Sequence, residues 1–201
     1  MYRVAVVVEG TGRGLLMHRF SPEGQADLDR TVKKAGRVHS APEIEAEQAA
    51  YRLDKADGQD KGQLCLPATH FLGGLTAAAA GLQVKGRGKK SYKGAFQGNV
   101  EVLPDFIGLT DEKDQPVFQY AIHSEPVRIQ KGRVMRHRPH FKAWRMAFTI
   151  EVLDKDIPIE VVQAALDEAG RSKCVGDHRP RYGQFRIAKF ERMEEGQAVA
   201  A

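Results

Sequence analysis

Alternation between apolar and polar side chains is clearest in the last third of the chain. Within residues 142–153, the even positions from 144 to 152 are apolar and the odd ones from 143 to 151 are small or polar, which predicts a strand with one buried face. Residues 158–169 carry apolar side chains at helical spacing between a proline and a glycine, which predicts an amphipathic helix. Residues 184–191 predict a final strand. A strand, a helix and a strand in this order form half of a ferredoxin-like sandwich.

The earlier part of the chain holds shorter patterns. Residues 2–9 are almost continuously apolar and rich in valine, as is typical of a central strand. Pro42 opens a helical segment with acids in its first turn, where the helix dipole favours them. Pro67 opens a second helix, rich in small residues, that ends at Gly81. Further candidate elements are a helix opening at Ser21–Pro22 and short strands at 100–103, 117–122 and 128–134.

These elements predict one α+β domain over residues 1–193, with an antiparallel sheet at its core in a ferredoxin-like (RRM-like) arrangement. We expect two insertions in that core, an acidic helical one at about 21–62 and a long basic loop or hairpin at 83–99. Five glycines in and near the second insertion predict a mobile segment that buries no core. Residues 194–201 are expected to form a disordered tail.

Several classes of protein are disfavoured by simple patterns. No apolar run approaches the roughly 20 residues that span a bilayer, and the N-terminal apolar run is too short for a signal peptide, so we expect no membrane partner and a cytoplasmic location. The glycines at 10, 12 and 14 match neither a Walker loop nor a dinucleotide fingerprint, which predicts no cofactor. His137 and His140 lack a nearby Cys, Asp or Glu to complete a metal site, so we expect no metal.

Positive charge is concentrated along the chain, although the net charge is only +5. No acidic residue occurs between Glu125 and Glu151, and a second stretch without acids covers residues 83–100. Such segregation is typical of a polyanion partner, because each cation that neutralises a phosphate releases a condensed counterion. Single-stranded nucleic acid, DNA or RNA, is therefore the first hypothesis for the ligand. The simpler interpretations are a solvated sheet face over 128–145 and an ordinary flexible surface loop at 83–99.

Three segments supply the candidate nucleic-acid contacts. In the first, lysines and glycines would mould around a backbone while Tyr92 or Phe96 stacks on bases. In the second, arginines would neutralise phosphates, whereas Trp144 is expected to belong to the core. In the third, backbone amides freed by glycine would hold phosphate oxygens beside basic side chains. The candidates are Lys85, Arg87, Lys89, Lys90, Tyr92, Lys93 and Phe96; Arg133, Arg136, Arg138 and Lys142; and Arg171, Lys173, His178, Arg179 and Arg181.

Two segments, Leu66–Leu75 and Gly170–Phe185, resemble the helix start and the C-terminal glycine-rich loop of the RAMP superfamily, the repeat-associated proteins of CRISPR effector complexes. The chain as a whole, with Leu15–His18 after its first strand, also resembles a group of small bacteriophage proteins. The RAMP resemblance implies one or two RRM-like domains that bind single-stranded RNA. It also implies subunits that polymerise along the strand and push a hairpin "thumb" between bases.

Three hypotheses for function follow. The first is a sequence-independent single-strand binder whose subunits assemble side by side, with the acids at 43, 45 and 47 meeting the basic face of a neighbour. Its setting would be phage DNA replication or recombination inside a bacterial host, or a CRISPR-like RNA-guided complex. The second is a metal-free endoribonuclease that uses His178, or alternatively His18, as general acid or base. The third is a protein–protein adaptor that docks an acidic partner.

Overall fold

The computed structural model of this chain describes residues 1–19, 41–129 and 132–194. The helix predicted at Ser21–Pro22 and the tail from residue 195 lie outside these residues. The described part is α+β, with antiparallel sheets and four α-helices. No helix in it is long and apolar enough to cross a membrane.

The strands are β1 (Tyr2–Gly10), β2 (Leu15–Leu16), β3 (Cys65–Pro67), β4 (Val100–Leu103), β5 (Phe106–Gly108), β6 (Ala121–Ile129), β7 (Gly132–Phe141), β8 (Arg145–Val152) and β9 (Phe185–Arg192). The helices are α1 (Pro42–Gln48), α2 (Thr69–Ala79), α3 (Lys93–Asn99) and α4 (Ile159–Glu168). A π-helical turn, Ala169–Lys173, continues α4. The strands predicted at 2–9, 100–103, 142–153 and 184–191 and the helices predicted at 158–169 and from Pro42 and Pro67 are confirmed, with shifted ends.

The main sheet has the strand order β4–β8–β1–β9, and every neighbouring pair is antiparallel. In β1 the side chains of Val4, Val6 and Val8 are buried on one face, as the period of a strand requires. Helix α2 packs on this face, where the Phe71 ring lies 4.5 Å from that of Phe148. Burying each such side chain stabilises the fold by about 1.5–3 kcal/mol. The helices therefore cover one face of the sheet.

Two glycines allow close packing at this interface. A Cβ at Gly170 would lie 2.3 Å from the backbone oxygen of Phe185, and one at Gly10 would lie 2.1 Å from the Trp144 indole nitrogen. Side chains larger than hydrogen are thus excluded at both positions. Trp144 itself is only 1% exposed, which confirms the prediction that it belongs to the core.

A second sheet, β2–β7–β6, is dominated by a long hairpin in which Arg128 lies opposite Arg133. The prediction of strands at 117–122 and 128–134 is wrong, because Arg128 belongs to β6 and Arg133 to its partner β7. The sequence there, Gln-Lys-Gly, has a single glycine and no proline, so it gives a weak turn signal. Residues 130–131, with the basic Lys131, lie outside the described residues.

The prediction that residues 83–99 form a mobile loop is wrong for its second half. Residues 93–99 form α3, and Phe96 is 0% exposed, because its ring belongs to the main hydrophobic core. Phe96 is therefore unavailable for stacking on a base. The first half forms a closed turn, in which the Tyr92 amide donates to the Leu82 carbonyl at 2.9 Å.

Candidate nucleic-acid interface

A groove runs across the exposed side of α2. Its floor is formed by Gly73 and Ala77, one helical turn apart, and a Cβ at Gly73 would meet no atom within 4 Å. Two cavities of about 550 and 480 Å³ share these two residues. We call this surface the α2 groove. Its small floor residues leave room for a ligand backbone to approach the helix closely.

The α2 groove has a basic side chain in each wall. One wall contains Lys173 and Arg179, which follow α4, and the other contains Lys93 and Gln97 of α3. These walls come from two of the three basic segments that the sequence indicated, although residues 93 and 173 are far apart in the chain. The fold therefore brings candidate residues from both segments to one surface.

Residues 174–183, which we call the glycine loop, shape the first wall. Gly176 and Gly183 have φ angles of +74° and +76°, and a Cβ at Gly183 would lie 1.7 Å from the Val175 carbonyl oxygen. The Gly176 amide donates to Nδ1 of His70 at 3.2 Å, which attaches the loop to α2. Cys174, at φ 60° and ψ 170°, adopts a backbone conformation that is strained for a non-glycine residue. The loop is thus held in one conformation by backbone contacts.

The candidate cations divide into two sets by their ion pairs. Nine have no carboxylate within 4.0 Å in the described part of the chain: Lys85, Arg87, Lys89, Lys90, Lys93, Arg133, Lys142, Lys173 and Arg179. Their charge remains available for a polyanion. Tyr92, the remaining aromatic candidate, is half-buried and packs against the core.

The second set is neutralised within the chain. Arg138 is 7% exposed, and its Nε lies 2.6 Å from Oδ2 of Asp177, although the N–H is not aligned for a hydrogen bond. Arg136 lies 3.2 Å from Glu45, and Arg171 pairs with acids at 167 and 168. The prediction that Arg136 and Arg138 neutralise phosphates is therefore not supported, because these charges already have partners. Glu45, expected to meet a neighbouring subunit, also has its partner in the same chain.

The remaining paired candidates, His178 and Arg181, meet at the base of the β6–β7 hairpin. Oε2 of Glu125 lies 3.1 Å from Nδ1 of His178 and 3.3 Å from Nε2 of His123, and Oε1 lies 3.8 Å from Arg181. The pKa of Glu125 is lowered, chiefly by the hydrogen bond from His123 and also by the charges of His178 and Arg181. Tyr182 stacks on His178, with ring centroids 5.8 Å apart. We call these five residues the junction cluster.

The acids that neutralise the second set of cations could not be identified from the sequence. The local sequence around Glu125 and Asp177 does not indicate which cation either carboxylate pairs with, because the partners come from distant segments. His123 gave no signal of its own either. His18 lies near Arg136, Arg138 and Asp177, and its pKa is lowered, chiefly because surrounding protein atoms displace water from the ring.

His137 and His140 do not converge. An odd separation on a strand places them on opposite faces of β7, where Nδ1 of His137 contacts Ser124 and Nε2 of His140 contacts the Arg13 carbonyl. No group of three or more His, Cys, Asp or Glu side chains suited to a metal ion occurs among the described residues.

A further cavity, of about 590 Å³, lies beside α1. Its polar groups are satisfied by one another: Arg52 and the Tyr120 hydroxyl each lie 2.7 Å from the Glu47 carboxylate, and Lys61 lies 3.0 Å from it. The hydrogen bond from Arg52 is the main reason that the pKa of Glu47 falls to about 2. This network joins α1 to the residues before β6.

No protein-family model matches this sequence, and no curated protein matches it.

Proposed function

We propose that this chain binds single-stranded nucleic acid along the α2 groove without regard to base sequence. The observation that carries the proposal is the unpaired charge of Lys93, Lys173 and Arg179 on both sides of a floor made of glycine and alanine. Cations without internal partners neutralise phosphates at little cost, and a floor without side chains admits the sugar–phosphate backbone. With Phe96 buried and Tyr92 packed on the core, few aromatic groups are left to contact bases, which favours recognition of the backbone.

We assign the core to the ferredoxin-like class as part of this proposal. The order β1–α2–β4–β8–α4–β9 along the chain and the strand order β4–β8–β1–β9 in the sheet support that assignment. The face of the sheet opposite the helices carries Ala5, Val7 and Ala147 in the two central strands, with no aromatic residue among those strands' described outward positions. Base stacking on the sheet, as in many RRM domains, is therefore not part of the proposal.

The two segments that resemble the RAMP superfamily also support the α2 groove. The first supplies the floor residue Gly73 and the second supplies Lys173 and Arg179, and the hydrogen bond from Gly176 to His70 joins them. What the resemblance implies, subunits side by side along a strand of RNA or phage DNA, belongs to the proposal. The hairpin best suited to the role of thumb is β6–β7, where Ile122 and Met135 are 38% and 40% exposed.

The test is fluorescence anisotropy with labelled 30-nucleotide single-stranded DNA, single-stranded RNA and duplex DNA over a range of salt concentrations. We expect both single strands to bind more tightly than the duplex. The double variant Lys173→Gln/Arg179→Gln should reduce the slope of log K against log salt by about 1.4, since each phosphate contact to a single strand contributes about 0.7. The matched control Lys55→Gln/Lys155→Gln removes two exposed, unpaired lysines elsewhere and should leave the slope unchanged.

Equal losses in the two double variants would contradict binding in the α2 groove. Absence of binding to all three ligands at low salt would contradict nucleic-acid binding altogether and favour an adaptor for an acidic protein.

A second candidate, a metal-free endoribonuclease, is favoured by the position of His178. This residue lines the 550 Å³ cavity of the α2 groove, while its Nδ1 lies 3.1 Å from Glu125. A histidine beside a carboxylate is suited to remove a proton from a 2′-hydroxyl, although Nδ1 of His178 is not aligned for a hydrogen bond to Glu125. Denaturing gels of the same RNA after incubation test it: cleavage of RNA but not DNA, lost in His178→Asn, would support the nuclease, and intact RNA would exclude it.

A further inference from the structure

Glu125 is the meeting point of cationic groups from two separate elements. His123 comes from the same strand, β6, whereas His178 and Arg181 come from the glycine loop. The contact with His123 is a hydrogen bond, whereas Nδ1 of His178 is not aligned for one and Arg181 forms a longer ion pair.

The histidine donors have contacts besides those with Glu125. The ring of His178 stacks on Tyr182, and the ring of His123 lies 5.4 Å from that of Tyr182. The backbone of His178 has a φ angle of +57°, and the loop around it is fixed by the hydrogen bond between Val175 N and Gly183 O. The two histidine rings are therefore also positioned by contacts other than those with Glu125, and Arg181, whose side chain is 57% exposed, lies beside them.

The Glu125 side chain, in contrast, occupies an accessible position. It is 27% exposed and lies beside Arg181, whose side chain is 57% exposed. A rotation about its side-chain bonds would carry the carboxylate toward solvent and leave the donors free. Imidazole, guanidinium and phenol groups are the common protein ligands of phosphate oxygens, which resemble a carboxylate in hydrogen bonding.

We propose that His123, His178 and Arg181 form a phosphate site that the protein's own Glu125 occupies in the absence of ligand. Glu125 acts as an internal competitor, and a phosphate group binds when the carboxylate moves out. The site borders the α2 groove through His178. The inference deepens the proposed function, because a phosphate of a bound strand is one source of the ligand, but the site itself is testable with inorganic phosphate.

The first experiment titrates inorganic phosphate at about pH 6.5, near the ordinary pKa of histidine, and follows the ring C–H signals of His123 and His178 by NMR. We compare the wild type with Glu125→Gln and with Glu112→Gln, which removes an exposed carboxylate outside the site. Removing the competitor should tighten phosphate binding in Glu125→Gln by about tenfold, corresponding to about 1.4 kcal/mol. Glu112→Gln should behave as the wild type.

A further variant tests whether the phosphate response of Glu125→Gln comes from the site or from a loss of structure. Adding Arg181→Gln to it should abolish the phosphate response while the NMR signals of the core stay unchanged. Signals of His123 and His178 that move equally in all variants, or in none, would overturn the proposal and indicate only nonspecific ion binding.

The second experiment separates sources of the phosphate. Anisotropy with a single strand bearing or lacking a 5′-phosphate shows whether Glu125→Gln gains affinity for the terminal group alone or for internal phosphodiesters as well. If the wild type binds strands and Glu125→Gln binds them no more tightly, this inference fails while the proposed function stands. If phosphate moves the two histidine signals but no strand binds, the site stands and the proposed function fails.

Discussion

The α2 groove and the junction cluster are built from the same glycine loop and are both rich in cations, yet they differ in what neutralises those cations. In the groove Lys173 and Arg179 have no carboxylate partner among the described residues, whereas at the junction Arg181 and His178 share Glu125. Next to them, the loop's own Asp177 pairs with Arg138 of the hairpin. Asp177 lines the α2 groove as well, but its carboxylate pairs with Arg138, so a basic segment predicts a binding surface where its own cations keep no carboxylate partner.

The largest effect should follow from removing the carboxylate partner of a buried cation. Asp177→Ala leaves Arg138 buried without a counter-charge, and an unpaired buried charge costs about 3 kcal/mol. Urea denaturation measures the loss. The control Glu168→Gln removes a carboxylate from the exposed pair with Arg171, whose side chain is 67% exposed, and should cost less than about 1 kcal/mol.

Similar losses in these two variants would contradict the distinction between buried and exposed pairs. Replacing Arg138 with Met in the Asp177→Ala background should recover much of the stability, because the unpaired charge is then absent.

Gly73→Ala tests the α2 groove, whose cations have no carboxylate partner. We expect this variant to be more stable but to bind single strands more weakly. The added methyl group meets no protein atom within 4 Å and removes the entropic cost of a helical glycine, so stability should rise by about 0.5–1 kcal/mol. The same methyl group stands on the groove floor and should weaken single-strand binding about fivefold, which corresponds to about 1 kcal/mol. Thermal unfolding and anisotropy measure the two effects.

Gly94→Ala is the matched control, since Gly94 lies in α3 with equally open space around it. It should gain stability without losing affinity. A gain in stability for Gly73→Ala with unchanged affinity would contradict the proposal that a single strand binds on the floor of the α2 groove.

The sequence supports prediction of the main sheet but not of the interface in full. Strand β8 follows from its side-chain period and β1 from its nearly continuous apolar run. The helix α3 was missed since its glycines hide the role of Phe96 as a core anchor. The free cations at 93, 173 and 179 were predictable from local charge. The pairing of Arg138 with Asp177 was not, because it depends on how distant segments of the chain fold together.

The network around Glu47 tests whether the internal ion pairs of a carboxylate make the stability of the protein depend on pH. The pKa of Glu47 is lowered to about 2, so the stability it contributes is fully present above its unfolded pKa of 4.5 and is lost as the pH falls through about 2. Its side chain is 36% exposed, and solvent screening limits the contribution to about 1 kcal/mol. Glu47→Gln should therefore be less stable than the wild type at pH 7, with the difference shrinking as the pH falls toward 2. A constant difference across that range would contradict this assignment.

The smallest expected effect concerns His70, which joins the α2 groove to the glycine loop. Burial lowers the pKa of His70, nearby Arg179 lowers it further, and Asp177 opposes the change. The neutral ring accepts a hydrogen bond from the Gly176 amide. Because the folded pKa lies below the unfolded value, the unfolded chain takes up the proton first, and stability declines as the pH falls below about 6.5.

Protonation at Nδ1 also removes the acceptor for Gly176, so the glycine loop should loosen at a lower pH, where the folded protein itself takes up this proton. Loss of one such hydrogen bond costs about 0.5 kcal/mol. The variant His70→Asn offers an amide oxygen close to the position of Nδ1 but does not titrate, so subtracting its pH profile from that of the wild type isolates His70 from other histidines such as His18. We expect the protection of the Gly176 amide against hydrogen exchange to fall as the pH is lowered in the wild type and to stay constant in His70→Asn. If protection falls equally in the wild type and in His70→Asn, the glycine loop is held by the junction cluster rather than by α2. The α2 groove and the junction cluster would then respond to pH together.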